Sequence, residues 1–425
     1  MIDIKELRRD PEALQKALGK RGAKVIDEQS AWHEAYELDK TQREKRTELE
    51  ELQAKRNKYS KEIGLLRKNK EDTTEAMQAV AQVSSRVKEL DIAVREAEEL
   101  SKNVLLHIPN TPHASVPEGL SEDDNVFLRQ WGEARQDDVP AHWDIGTDMK
   151  FLDFEAGVRI AGSRFTVLRG QAARLERALM QFMLDMHVDQ HGYEEVWTPA
   201  IANQDSLQAT GQLPKFADDL YKLEGEDAYL IPTAEVSVTN LYRDQIIDEA
   251  TLPIQHCAYT PCFRREAGSA GRDVRGMIRQ HQFDKVELVH VVAADQALAA
   301  LEKLTSHAEA VLQALELPYR VVELCTSDLG FSAEKTYDLE VWLPSQKLYR
   351  EISSCSSMGQ FQSRRAAIRM RKGKSKPESV ATLNGSGVAI GRCLIAILEN
   401  GWQEDGRIKL PKVLQPYFNG LQHLG

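Results

Sequence analysis

The sequence predicts an α+β protein: an N-terminal antiparallel helical coiled-coil arm, then a core with a mainly antiparallel sheet flanked by helices. Three observations carry that reading. Residues 31–101 contain no proline and one glycine, Gly64, and repeat apolar positions at alternating steps of three and four. A polar stretch with three prolines follows. Beyond it, helical and strand patterns mix without the strict alternation of a doubly wound fold.

The chain has 425 residues, of which 42% are hydrophobic and 28% charged, so it can build a large core and is not globally disordered. Its length suits two to four domains at roughly 100–200 residues each. No stretch approaches the ~18 apolar residues of a membrane span. The start MIDIKELRRDPEALQKAL mixes acids with bases and lacks an apolar run, so it is not a secretory signal, and a cytoplasmic location is expected. The five cysteines all lie in the C-terminal half without a CxxC pair, which fits reduced thiols. The formal net charge is −11, so any nucleic-acid partner must be met by local basic patches.

The arm comes first. Leu49, Leu52, Arg56, Tyr59, Ile63 and Leu66 form one heptad series, and Val80, Val83, Val87, Leu90, Val94 and Ala97 form a second. The polar LRKNKEDTT between them suits a reversal. Two helices of roughly 35 residues would reach on the order of 50 Å at 1.5 Å per residue. Such a hairpin serves as a dimerisation coil or spacer, or as a probe for a large partner. Lys55, Arg56, Lys58, Lys61, Arg67, Lys68 and Lys70 concentrate positive charge on its distal half, which suits phosphates.

The linker, residues 104–125, carries Pro109, Pro112 and Pro117 and separates an N-terminal domain, 1–103, from a C-terminal domain, 126–425. In the latter, Gly170 to His191 reads as an amphipathic helix. YEEVWTPAI, AYLIPTAEVSVTNLY, KVELVHVV, YRVVELCT, YDLEVWLP and LYREISSCS read as strands, or strands running into loops or helices.

Common nucleotide motifs are absent or incomplete. No GxxxxGK[ST] occurs, and NGSGVAIGR lacks the acidic residue about twenty positions on that a dinucleotide loop requires. His187 and His191 are four apart on one helix face but lack the glutamate of HExxH, and read as surface or interface histidines. Three other patterns together describe an ATP site without a P-loop. In YTPCFRREAGSAGRDVRGMIRQHQFDKVELV, Arg264 and Glu266 are expected on one strand face. A loop with Gly268, Gly271, Arg272, Arg275, Gly276 and Arg279 follows, and the chain returns through Phe283 to Glu287. Arg264 could fork onto a phosphate and Phe283 stack on a base. In LNGSGVAIGRCLIAILEN, small residues permit close backbone approach, and Arg392 enters an apolar helix where it needs an anionic partner. In REISSCS, Glu351 and Ser354 offer hard oxygen ligands for a Mg²⁺ carrying phosphates.

With these residues in place, the chain resembles the bacterial-type seryl-tRNA synthetases, a family of class II aminoacyl-tRNA synthetases, over nearly its whole length. HGYEEVWTP, with Pro199, resembles motif 1, the family's dimer-interface element; CFRRE and its loop resemble motif 2; NGSGVAIGR resembles motif 3. NTPHASVPEG, TAEVSVTNLY, CTSDLGFSAEKTYDLEVWLP and YREISSCS resemble stretches of the seryl branch. Ser237 departs from a frequent proline, and Ser327 and Ser332 from frequent glycines, at positions expected to flank the site.

The resemblance implies a serine–tRNA ligase that forms seryl-adenylate from L-serine and ATP, with Mg²⁺, and transfers serine to the 3′ end of tRNA(Ser), with tRNA(Sec) a further acceptor. It implies a homodimer and no membrane partner. Arg264, Glu266 and Arg392 would be catalytic. Arg264 would meet the α-phosphate and the serine carboxylate, Glu266 the adenine end, and Arg392 the γ-phosphate. Phe283 would stack on adenine, and Arg265, Ile352 and Ser353 would complete the ATP site. Glu351 and Ser354 would hold the metal. Thr233, Ala234 and Glu235 would contact the serine amino group, and Glu287, Thr382 and Ser386 the serine side chain. The arm would lie across the tRNA elbow and variable arm. Separately, the basic run Arg364, Arg365, Arg369, Arg371, Lys372, Lys374 and Lys376, with no acid between Glu351 and Glu378, reads as a solvated surface strand or as a contact for the acceptor end. A class II-like ligase that charges a carrier protein is the alternative reading.

Overall fold

The computed structural model describes residues 1–22, 29–268, 273 and 275–425, apart from the side chains of residues 29 and 30. Gly271 and Arg272 of the expected basic loop lie outside the described residues. The chain forms two compact units: Ile2–Gly19 with Ala23–Pro109, and Met1, Lys20–Gly22 and Asn110–Gly425.

The first unit contains the arm. Helix α1 (Gln29–Asn69) and helix α2 (Thr74–Leu105) run antiparallel. Leu49, Val87, Leu90 and Val94 are buried between them, with Leu52 and Val83 packed alongside, as the heptad spacing requires. The reversal is shorter than LRKNKEDTT, because α1 continues through Asn69 and keeps the half-buried Leu66 on the seam. Lys70 turns the chain with φ +60°, and Asp72 accepts from the Thr74 amide at 2.9 Å. Gln42 Nε2 donates to Glu98 Oε1 at 2.9 Å, and Arg86 Nη2 meets Glu48 at 3.0 Å across the pair. Such exposed pairs add little; the seam holds the hairpin. Lys55, Lys58, Lys61, Arg67, Lys68 and Lys70 are exposed near the reversal, whereas Arg56 is half-buried on the seam.

The second unit is built on an eight-stranded sheet. Its strands are β1 (Val126–Trp131), β2 (Glu194–Glu195), β3 (Ile254–Phe263), β4 (Gln282–Val292), β5 (Tyr319–Glu323), β6 (Lys335–Leu343), β7 (Leu348–Ser357) and β8 (Ala381–Ala389). Their order is β1-β5-β6-β7-β8-β4-β3-β2, antiparallel except for the short parallel pair β2 and β3. Helix α3 (Gly170–Asp189) buries Leu175, Leu179 and Met183 in the core. Two further helices bury faces in the same core. After α4 (Ala234–Thr239), helix α5 (Ala297–Ala314) contributes Leu301, Leu304 and Ala308. After α6 (Phe361–Ala366), helix α7 (Ile390–Gly401) contributes Leu394 and Ile397. Full burial of each such leucine is worth about 1.5–3 kcal/mol.

Two details fill in the sequence reading, and a third corrects it. YEEVWTPAI and AYLIPTAEVSVTNLY supply only short strands, and the second becomes α4 after Thr233 caps the helix by accepting from the Glu235 amide at 3.3 Å. The glycines of NGSGV permit the expected close approach, to neighbouring side chains of the core. A Cβ on Gly385 would stand 2.4 Å from Leu304 Cδ2, and one on Gly387 would stand 2.5 Å from His187 Nε2. His187 is therefore a fully buried core residue whose Nε2 donates to the Gly387 carbonyl at 2.9 Å, not a surface histidine. All five cysteines are buried and unbridged. Among the described residues no helix is long and apolar enough to cross a membrane.

Candidate active site

Two chambers open on one side of the central strands. The smaller, about 220 Å³, is walled by Arg264, Glu266, Phe283, Ile352 and Arg392. The larger, about 590 Å³, is walled by Thr233, Glu235, Glu287, Ser354 and Asn384. Arg264, Glu266, Arg279, Lys285, Glu351 and Ser386 line both. Arg264 and Arg392 thus converge on one cleft, although more than a hundred residues of chain separate them.

The antiparallel register explains most of the convergence. On β4, Phe283 lies opposite Cys262 and Glu287 opposite Ala258; on its other side Glu287 faces Ser386 of β8. Arg264 and Glu266 do not share a strand face as expected, because β3 ends at Phe263. Glu266 adopts φ +51°, which redirects the chain. Arg264 Nε donates to the Pro232 carbonyl at 3.3 Å, and its guanidinium sits 5.2 Å above the Phe283 ring. Glu266 is paired with Arg279 at 3.0 Å, Arg279 with Asp273 at 3.3 Å, and Asp273 with Arg350 at 3.2 Å. Arg392 has the anionic partner its apolar helix demands: Nη1 donates to the Glu351 carbonyl and lies 3.6 Å from Glu351 Oε2.

The larger chamber is acidic at depth. Glu287 is 1% exposed; Lys285 Nζ meets its Oε2 at 2.5 Å, and Asn384 Nδ2 donates to its Oε1 at 2.9 Å. Lys285 also donates to Thr233 Oγ1 at 3.0 Å. Burial, reinforced by the charge of Glu287, pushes the Glu235 carboxyl up to about 7; a hydrogen bond from Gln362 and the charges of Lys285 and Arg264 pull it down. Burial also raises Glu176, on the wall of the smaller chamber, to about 8, with Asp284 adding to the effect.

The oxygen groups Glu351 and Ser354 both line the larger chamber. Asp338 stands opposite Ser354 in the ladder, its Oδ1 has no hydrogen-bond partner, and burial together with the charge of Glu351 raises its carboxyl well above the usual range. Glu351 and Ser354 thus offer two hard oxygen donors to a Mg²⁺ that also binds phosphates, while among the described residues no group of three or more His, Cys, Asp or Glu is placed to hold a metal by itself.

Several expected site residues fall outside both chambers. Arg265 turns away, with its guanidinium 5.7 Å over Tyr221. Ser353 points into the core and donates to the Ser386 carbonyl at 2.6 Å. Ala234 is buried among Val238, Ala258 and Val289. Thr382, 0% exposed, donates to Gln362 Oε1 at 2.7 Å. Ser332, by contrast, does not merely flank the site: it lines the larger chamber and donates to the Thr210 carbonyl at 3.1 Å. Within the basic run, Arg364 donates to the Met1 carbonyl at 2.6 Å and Arg365 to Gln208 and Leu213 carbonyls at 3.1 and 3.3 Å. Arg369, Arg371, Lys372, Lys374 and Lys376 remain exposed. Sequence reasoning missed Lys285, Asn384 and Gln362. A lysine heading the apolar run VELVHVV was the available signal for the first.

Known proteins share this architecture. Residues 1–112 match the seryl-tRNA synthetase N-terminal domain, and residues 219–401 the tRNA synthetase class II core domain (G, H, P, S and T). The chain is 52% identical to the serine–tRNA ligase of Pelotomaculum thermopropionicum over 427 residues, covering 100% of each. It is 53% identical to that of Carboxydothermus hydrogenoformans over 422 residues, covering 98% of each. Among solved structures it is similar to seryl-tRNA synthetase from Pyrococcus horikoshii complexed with ATP, at TM-score 0.94 and 36% identity, covering 100% of this chain and 99% of that one. It is also similar to the cytoplasmic serine–tRNA ligase of Naegleria fowleri in complex with AMP, at TM-score 0.86 and 28% identity, covering 97% and 95%.

Proposed function

Since this chain belongs to the seryl-tRNA synthetases and is a serine–tRNA ligase, we propose that the smaller chamber takes ATP, the larger takes serine, and Arg264 works at their junction. The observation that carries this division is that Arg264, which lines both chambers, rests over the Phe283 ring of the smaller and donates to the Pro232 carbonyl of the larger, whereas Arg279, which also lines both, is spent on Glu266 and Asp273.

In the first step a serine carboxylate oxygen attacks the α-phosphorus of ATP. The bond from that phosphorus to the bridging oxygen breaks, giving seryl-adenylate and pyrophosphate. Arg264 holds the carboxylate and α-phosphate together and meets the charge that develops between them. Arg392, fixed by Glu351, meets the departing pyrophosphate. Glu266 and Phe283 orient the adenine. Glu351 and Ser354 would hold Mg²⁺, which when bound neutralises phosphate charge. In the second step the 3′-terminal ribose hydroxyl of tRNA attacks the adenylate carbonyl and AMP leaves.

Serine selection rests on paired carboxylates. Glu235 meets the ammonium group. Glu287, held by Lys285 and Asn384, and Ser386 face the side-chain hydroxyl. Alanine would forfeit the hydroxyl's hydrogen bond to this buried carboxylate, and threonine would crowd the chamber. Amino-acid-dependent ATP–pyrophosphate exchange is expected to favour serine over alanine by about 10⁴-fold in kcat/KM. Comparable exchange with alanine or threonine would overturn this assignment.

The Glu235 carboxyl also sets a pH dependence. It must be ionised to hold an ammonium, and its pocket raises it to about 7. The KM for serine is therefore expected to be flat above about pH 7 and to rise about tenfold per unit below it. A KM that is constant from about pH 8 down to about pH 5 would remove Glu235 from ammonium binding.

The acceptor is a tRNA with a long variable stem: tRNA(Ser), and by the same shape tRNA(Sec). The exposed lysines near the arm's reversal suit its backbone. The remaining exposed bases, Arg369 to Lys376, suit its acceptor end. A homodimer through motif 1 is supported by the edge strand β2 and by Trp197, which is 91% exposed next to it.

A further inference from the structure

Gln362 is 1% exposed on the short helix α6, and its amide is fully engaged. Nε2 donates to the Thr210 carbonyl at 3.0 Å and to Glu235 Oε1 at 2.5 Å, while Oε1 accepts from Thr382 Oγ1 at 2.7 Å. The orientation of this amide is fixed by chemistry. The Thr210 carbonyl can only accept, so the nitrogen must face it, and the Thr382 hydroxyl must then donate to the oxygen. Thr210 is held in turn by Ser332, which donates to the same carbonyl at 3.1 Å.

We propose that Gln362 is a positioning residue for serine recognition: it commits one Glu235 oxygen and turns the other to the substrate ammonium. Thr382, in β8, acts through Gln362 and not on the serine side chain. The arrangement ties α4, which carries Glu235, to the motif 3 strand that carries Asn384 and Ser386. The ammonium and hydroxyl ends of the substrate are thereby set at a fixed spacing. A glutamine suits the task because its amide supplies two donors to acceptors and one acceptor to a donor without adding charge beside Glu235. The inference rests on the reading that Glu235 holds the serine ammonium.

The test is steady-state ATP–pyrophosphate exchange on the full chain with Gln362→Leu, Thr382→Val and Glu235→Gln. Gln362→Leu is expected to raise the KM for serine about 10- to 100-fold, the size of one hydrogen bond to a charged group, with the KM for ATP within about twofold. Thr382→Val keeps volume and removes only the hydroxyl that orients the amide; a rise of about three- to tenfold is expected, and this variant decides the matter if Gln362→Leu does not fold. In the Glu235→Gln background, Gln362→Leu should add no further rise. An unchanged serine KM in both Gln362→Leu and Thr382→Val overturns the inference, as does an equal loss for serine and ATP. If Glu235→Gln itself leaves the serine KM unchanged, the underlying reading of Glu235 fails. If Glu235→Gln raises it and the other two variants do not, only the role of Gln362 fails.

Discussion

Arg264→Ala is expected to lower serine-dependent ATP–pyrophosphate exchange by about 10³-fold or more while leaving the fold intact. Removing one preorganised donor from a developing anion costs about 10²–10³ in rate. On the proposed reading Arg264 would serve two anions at once, since its guanidinium lines both chambers. Little structure depends on it: its side-chain hydrogen bond to the Pro232 carbonyl is 3.3 Å long, and it also rests on the Phe283 ring. Circular dichroism and thermal unfolding should match the parent protein. Exchange within about tenfold of the parent would remove Arg264 from the transfer step.

Deleting residues 31–101, with the flanking chain rejoined by a short turn, is expected to separate the two half-reactions. The arm holds its own seam of Leu49, Val87, Leu90 and Val94, and no residue of 31–101 lines either chamber. Serine-dependent exchange should stay within about threefold of the parent, while serylation of tRNA(Ser) at sub-saturating tRNA falls by about 10³-fold. The exposed lysines near the reversal account for the size: every phosphate they no longer neutralise weakens binding and flattens its salt dependence. Undiminished charging after the deletion would return the arm to a spacer role. Charging of a carrier protein in place of tRNA would favour the other class of ligase.

How far the site could be read from the residues varied with the range of the interactions involved. The heptad steps fixed the arm because a coiled-coil seam is a local periodicity, and each position that steps three or four is buried or half-buried in the helical pair. Arg264, Phe283, Glu287 and Arg392 were legible because they sit in short, unusual strings, and each lines a chamber. Thr382 shows the limit. It shares a strand face with Asn384 and Ser386, as period-two alternation requires, yet α6 lies over it and its hydroxyl is spent on Gln362. Arg265 and Ser353 adjoin residues that line the chambers, and the chain turns their side chains the other way.

By itself, the sequence determined the arm, the α+β core and the kinds of charged group available for ATP and serine, because periodicity and side-chain chemistry are properties of neighbouring residues. Only the tertiary structure decided which of those groups meet. Strand register set Glu287 against Ser386, the end of β3 at Phe263 swung Arg264 between two chambers, and α6 brought Gln362 to Glu235. Those encounters join residues distant in the chain, and their geometry follows from how the sheet pairs and what packs over it, which no local pattern encodes.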